Sequence, residues 1–229
     1  MPAPTDSAAA NAAARERILT RLRQGMAAVP ARPEVLELDE DWLRRQPPLG
    51  DPAERFLREQ QSVGSQVLRV PTWEALPAAV APWFREHGIA SAITGRVERL
   101  TPLRRHLAEL GVTVRTYDKP LEQQRGEVFG TDCGITTSAG GIAETGSIIL
   151  VPGPEEPRLL SLAVPIHLAL VERARLHATL GDFIRSGAYQ RAVPTNLVLV
   201  SGASRTADIE LTLAVGVHGP RLLLVALIG

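Results

Sequence analysis

The sequence predicts an α/β fold, a mainly parallel sheet flanked by helices with a helical extension at the N-terminus. Three observations carry that expectation. Short apolar runs alternate with stretches of helical spacing, glycines stand where those helices should stop, and the 229 residues, 45% hydrophobic and 22% charged, suffice for one full core. A chain of this length buries roughly 70% of its unfolded surface and needs no staples.

Taken in order, the first dozen residues are Ala, Pro, Ser and Thr with little to bury and should form a frayed tail. Arg15 to Ala28 reads as an amphipathic helix with Ile18, Leu22 and Met26 on one face. From Pro30 to Pro52 prolines and acidic residues interrupt every pattern, so residues 1–60 are taken as tail, helix and irregular connection and 61–229 as the α/β domain. Gln66 to Val70, Ile89 to Thr94 and Val112 to Tyr117 read as strands. Between them, Trp73 to His87 and Val97 to Leu110 read as helices ending at Gly88 and Gly111. Helices of that length are the crossovers that parallel strands require. Gly134 to Val151 is rich in Gly, Ser and Thr and ends in the buried-strand run Ser147 to Val151. Asn196 to Val200 and Leu222 to Ile228 read as further strands, and Leu180 to Ser186 as a short helix.

Formal net charge is zero and the arginines are spread along the chain, with Lys119 the only lysine. No basic stripe exists to hold nucleic acid or an anionic membrane surface. Cys133 is the only cysteine, which excludes an internal disulfide, a resident iron–sulfur cluster and a cysteine zinc site. Met1 to Ala14 has no basic residue and no Leu/Ile/Val run, and no stretch approaches the ~20 apolar residues of a span. A cytoplasmic protein without signal peptide or membrane span is the expectation. GxGxxG, P-loop, HExxH, GxSxG and EF-hand patterns are all absent.

Three segments hold the candidate chemistry. In the run from Gly134 to Ser147 the only charged residue is Glu144, set among small and apolar neighbours that make an unpartnered carboxylate expensive to bury. Gly140, Gly141 and Gly146 let backbone approach a ligand, and Thr145 and Ser147 offer hydroxyls. A tight turn in which Glu144 bonds nearby backbone fits the same residues. The second segment, Ser201 to Glu210, follows an expected strand directly, the place where parallel sheets bind ligands. Arg205 there is suited to clamp a carboxylate or phosphate, with Ser201, Ser204, Thr206 and Asp208 around it. The competing reading makes Thr206 the cap of a helix whose first turn holds Asp208 and Glu210. The third segment, Gly216 to Pro220, exposes His218, the best acid–base candidate. His167 has apolar neighbours and reads as a core histidine, while His87, His106 and His177 read as surface.

Together, Gly141-Ile-Ala-Glu144-Thr-Gly-Ser-Ile-Ile-Leu150, Ser201 to Glu210 and Gly216-Val-His-Gly-Pro220 resemble the LUD-domain family, in particular its lactate-utilization members. The resemblance covers Gln66 to Gly229. It implies a fold similar to the NagB/RpiA/CoA-transferase group and a role in oxidising L-lactate to pyruvate beside iron–sulfur partner proteins. This chain would then be the subunit or accessory factor with no redox cofactor and no metal of its own. Within such a role Arg205 would hold the substrate carboxylate and His218 would take the hydroxyl proton. Two other readings stand beside it: a free-standing enzyme of the same fold acting on a small carboxylate or sugar phosphate with Glu144 as base or nucleophile, and a small-molecule-binding regulatory module.

Overall fold

The computed structural model describes residues 5–27, 50–187, 194–207, 213–216 and 218–229, in two units, Met1–Pro47 and Pro48–Gly229. In the first unit helix α1 runs over Thr5–Ala27. The tail expected to fray is therefore helical from Thr5, which corrects the sequence expectation. Ala8 to Ala10 and Ala12 to Ala14 are the strongest helix formers and lose no side-chain entropy in the helix. Ile18, Leu22 and Met26 share one face as expected, and all three are exposed. The connection expected from Pro30 to Pro52 lies outside the described residues as far as position 49.

The second unit opens with helix α2, Pro52–Ser62, which no sequence reading assigned. Asp51 caps it by accepting the Ala53 N–H at 2.9 Å, and Pro52 takes the first-turn position where a missing N–H costs nothing. Ala53, Phe56, Leu57 and Gln60 form its buried stripe. The expected strand–helix alternation follows: β1 (Gln66–Val70), α3 (Leu76–Glu86), β2 (Ser91–Thr94), α4 (Thr101–Glu109) and β3 (Thr113–Thr116). Gly88 and Gly111 end the two helices with φ of 60° and 86°, the left-handed conformation that favours glycine. Next come α5 (Leu121–Phe129), another unassigned helix, and β4 (Cys133–Thr137). The chain continues through β5 (Gly140–Ile142), β6 (Ser147–Leu150), α6 (Leu159–Leu162), β7 (Ile166–Glu172), β8 (Leu176–His177) and α7 (Leu180–Arg185). It ends with β9 (Val198–Val200), β10 (Arg205–Ala207), β11 (Leu213–Val215) and β12 (Leu222–Ile228).

Six strands form an all-parallel sheet in the order β1-β12-β7-β4-β2-β3, so the α/β expectation is borne out. Its central strands are near-continuous apolar runs because both faces are covered. On one face Val80, Phe84, Leu103 and Leu107 of α3 and α4 pack against Ile135, Leu168 and Ala226. On the other, Phe56 and Leu57 of α2 and Ile148 and Leu150 of β6 cover Ala169, Val171, Val225 and Leu227. β6 belongs to a second sheet of mixed direction, β8-β5-β6-β9.

That second sheet corrects one expectation. β9 was read as a strand of the parallel sheet with the Ser201 loop at its carboxyl end, but it pairs antiparallel with β6 outside that sheet. The segment after it does not start a helix at Thr206 either: β10 pairs antiparallel with β11, Thr206 opposite Ala214. The alternation of Leu211, Leu213 and Val215 leaves helix and strand both open in the sequence, and the pairing of β10 with β11 decides for strand.

Candidate functional site

The order of the main sheet turns around at β2. The chain steps from β2 outward to β3, then returns to place β4 on the other flank of β2. The carboxyl ends beside such a turning point are where open parallel sheets bind ligands. A cleft of about 190 Å³ opens there, lined by Thr136, Thr137 and Ser138 at the end of β4, Leu150 and Val151 at the end of β6, and Glu156, Arg158 and Ser161.

Glu156 dominates it. One carboxylate oxygen accepts the Thr137 backbone N–H at 2.9 Å, and the other accepts the Thr137 hydroxyl in a short hydrogen bond. Burial pushes its carboxyl above the ordinary range, against the opposing pull of the two Thr137 bonds. Among the described residues no cation pairs with it. The loop that carries it is fixed from beneath by the end of β2. The Arg96 N–H donates to the Glu155 carbonyl at 2.9 Å, and a Cβ on Gly95 would lie 2.2 Å from that carbonyl and 2.5 Å from Glu156 Cγ. Only glycine permits that approach.

A second cleft, about 210 Å³, lies between the main sheet and β9, lined among others by Ser161, His167, Ser201, Ser204, His218 and Leu223. Ser161 borders both clefts, and so does a buried hydrogen bond: Thr136 Oγ1 of the first meets His167 Nε2 of the second at 2.9 Å. His167 is thus the satisfied core histidine that its apolar neighbours suggest. Desolvation lowers its pKa to about 4, so the ring is neutral at pH 7.

The structure brings some of the sequence-derived candidates together and separates others. A hydroxyl chain joins the first two motifs, Thr145 Oγ1 to Ser147 Oγ at 2.7 Å and Ser147 Oγ to Ser201 Oγ at 2.6 Å. Ser204 ties the second motif to the third through its N–H on the Pro220 carbonyl at 2.8 Å, and the exposed His218 borders the same cleft. Glu144 and Arg205 take no part. Glu144 accepts the Leu180 N–H at 2.8 Å at the start of α7, and Arg205 donates to the Val63 carbonyl at 2.6 Å. Gly141 is buried, and a Cβ there would lie 2.8 Å from both Phe56 and Leu176 side-chain atoms, a packing reason for its small size. Thr206 sits in β10, and Asp208 lies outside the described residues. His177, read as surface, is half-buried in β8 with its ring edge-on to Phe183 at 5.3 Å. Sequence reasoning passed over Glu156, Thr137, Arg158 and the buried Gln60, whose amide donates to the Gly146 carbonyl and holds the Glu144 loop to α2. The available signal was a pair of acids among Pro152, Pro154 and Pro157 directly after a buried strand. Among the described residues no three His, Cys, Asp or Glu side chains group closely enough to hold a metal ion.

Residues 53–228 match the sequence profile of the LUD domain. The chain belongs to the LUD domain family. This LUD protein is 31% identical over 232 residues to an uncharacterized protein of Neisseria meningitidis serogroup B, covering 93% of this chain and 92% of that one. It is 34% identical over 121 residues to lactate utilization protein C of Deinococcus radiodurans, covering 52% of this chain and 56% of the relative. With lactate utilization protein C of Bacillus subtilis it shares 30% over 144 residues, 61% of this chain and 56% of the relative. The LUD chain therefore aligns with little more than half the length of these two relatives. Its fold is shared with the crystal structure of a DUF162 family protein from Deinococcus radiodurans, at a TM-score of 0.60 and 24% identity over 80% of this chain and all of the other. Among the described residues of the LUD protein no helix is long and apolar enough to cross a membrane.

Proposed function

We propose that this LUD protein is a component of L-lactate utilization, a subunit or accessory factor without a redox centre that works beside iron–sulfur partners in oxidising L-lactate to pyruvate. The observation that carries the reading is its similarity to lactate utilization protein C from several bacteria. The chemistry of the chain supports the division of labour. Removing two electrons from a 2-hydroxy acid needs an acceptor, and thiolates are the ligands that hold iron–sulfur clusters. Cys133 is the only thiol of the sequence, it is fully buried, and burial holds it far above its ordinary pKa, unsuited to ligation. In this reading the electrons leave through a partner, while this subunit supplies clefts lined by hydroxyl and amide donors.

The test is purification of the tagged protein under anaerobic conditions from lactate-grown cells, with the visible spectrum of the eluate recorded. Stoichiometric co-purification of brown, iron-containing partners is the expected result. Deletion of the gene should abolish growth on L-lactate and spare growth on pyruvate; undiminished growth on L-lactate overturns the reading.

A further inference from the structure

The cleft at the end of β4 holds a carboxylate already, the chain's own. We infer that the Thr137 amide and hydroxyl form a seat for the carboxylate of a small monocarboxylic acid, that Glu156 occupies this seat in the free protein, and that the ligand displaces it.

The geometry of the seat sets the ligand class. Its two donors come from one residue and each takes a different oxygen of the same carboxylate, a two-pronged arrangement. A carboxylate is the group that already fills both donors, and that occupancy sets the ligand class. Arg158 lines the cleft and makes no ion pair among the described residues, so a guanidinium is available to an incoming anion. Glu156 does not use it. The cleft, at about 190 Å³, is smaller than the roughly 300–1,000 Å³ of drug-sized sites and suits an acid of a few carbons.

Glu156 is built to be exchangeable. It stands on the connection between β6 and α6 and not on a strand, and among the described residues its carboxylate is held by Thr137 alone. A half-buried carboxylate beside no cation is costly, so swinging it into water recovers hydration that offsets the two bonds surrendered to the ligand. The seat also lies at the turning point of the strand order, the position where a parallel sheet is expected to receive a ligand. Ser138 lines the same space, and its buried hydroxyl has no hydrogen-bond partner among the described residues, so it can meet a 2-hydroxyl group.

The experiment is calorimetric titration of the full chain with L-lactate, acetate and sulfate. Glu156→Ala empties the seat and should bind L-lactate and acetate at least about tenfold more tightly than the wild type, the equivalent of one charge-assisted hydrogen bond's competition. Thr137→Val in that background should remove the gain, and Arg158→Gln should weaken both acids severalfold. An affinity unchanged by Glu156→Ala, or a gain that survives Thr137→Val, overturns the inference, and sulfate competing as well as acetate overturns the ligand class. Should Glu156→Ala fail to fold, the wild type decides: its Thr137 amide resonance must move when L-lactate is added, and a resonance unmoved at saturating acid removes the seat. The outcome is separable from the lactate role. Acid binding in a protein whose deletion leaves growth on lactate intact keeps the seat and loses the role; growth lost with no acid bound does the reverse.

Discussion

The two clefts share a wall and differ in what they do with a desolvated titratable group. In the second cleft the group is an imidazole on β7, the second residue of the strand and paired on both sides by parallel neighbours, bonded to Thr136 and driven neutral by burial. In the first it is a carboxyl on a loop, bonded to Thr137 and also pushed toward its neutral form. The strand-borne histidine cannot leave without breaking the sheet, whereas the loop-borne glutamate can. Desolvation alone therefore marks neither residue as functional; what separates them is the backbone each stands on.

The largest expected effect tests the fixed side of that comparison. His167 is neutral in the fold and protonates at about 4 against 6.5 when unfolded, so its contribution is complete above pH 6.5 and is lost as pH falls toward 4. The loss amounts to about 3 kcal/mol. Denaturant melts of wild type and His167→Gln at pH 7 and pH 4.5 should show the steeper acid decline in the wild type only. Gly95→Ala attacks the movable side by forcing a methyl into the Glu155 carbonyl. A cost of about 2 kcal/mol is expected, with the Thr137 amide resonance shifted as the Glu156 loop lifts; an unshifted resonance would mean that the loop is not held from β2.

Thr136→Val cuts the bond between the clefts and leaves a buried ring nitrogen unpaired, for a cost of about 1–2 kcal/mol in thermal melts. Glu156→Gln tests the sign of the carboxyl shift. A carboxyl raised in the fold weakens the protein as pH climbs from its unfolded value near 4.5 through the folded one, so the glutamine variant should match wild type in acid and melt higher at pH 7. The same pH rise strengthens the His167 term, so the two clefts titrate in opposite senses. Smallest of all, Glu144→Ala removes one acceptor from an α7 terminus that Thr179 and Asp182 already cap reciprocally, and should cost about 0.5 kcal/mol.

Much of the first half of the α/β unit was legible because its signals are local. Helical spacing closed by Gly88 and Gly111, with apolar runs between, identifies α3, α4 and the strands around them. Helices α2 and α5 escaped for physical reasons: α2 begins at the last of a series of prolines, and α5, Leu-Glu-Gln-Gln-Arg-Gly-Glu-Val-Phe, buries only Gln124 and Val128. β6 and β9 are legible as apolar strands, but their pairing into a separate small sheet is not, and β5, Gly-Gly-Ile and fully buried, carries no alternation. The candidate site divides along the same line. Glu144 stands out in the sequence because its neighbours are small, yet it serves a turn. Glu156 looks like one of two acids in a proline-rich connection, and only the end of β4, the end of β2 and Gly95 give it its setting. A lone charge advertises itself in one dimension, but a buried one is made in three.

The sheet order has a consequence for how the molecule is made. Among the described residues β1 pairs with β12 and with no other strand, and more than 150 residues of chain separate the two. During translation the edge of β1 stays unsatisfied until residues 222–228 have left the ribosome and slid between it and β7. Closing so long a loop is slow, and an open strand edge invites pairing with the wrong neighbour. A nascent chain stalled before β12 should therefore depend on chaperones far more than the completed protein does.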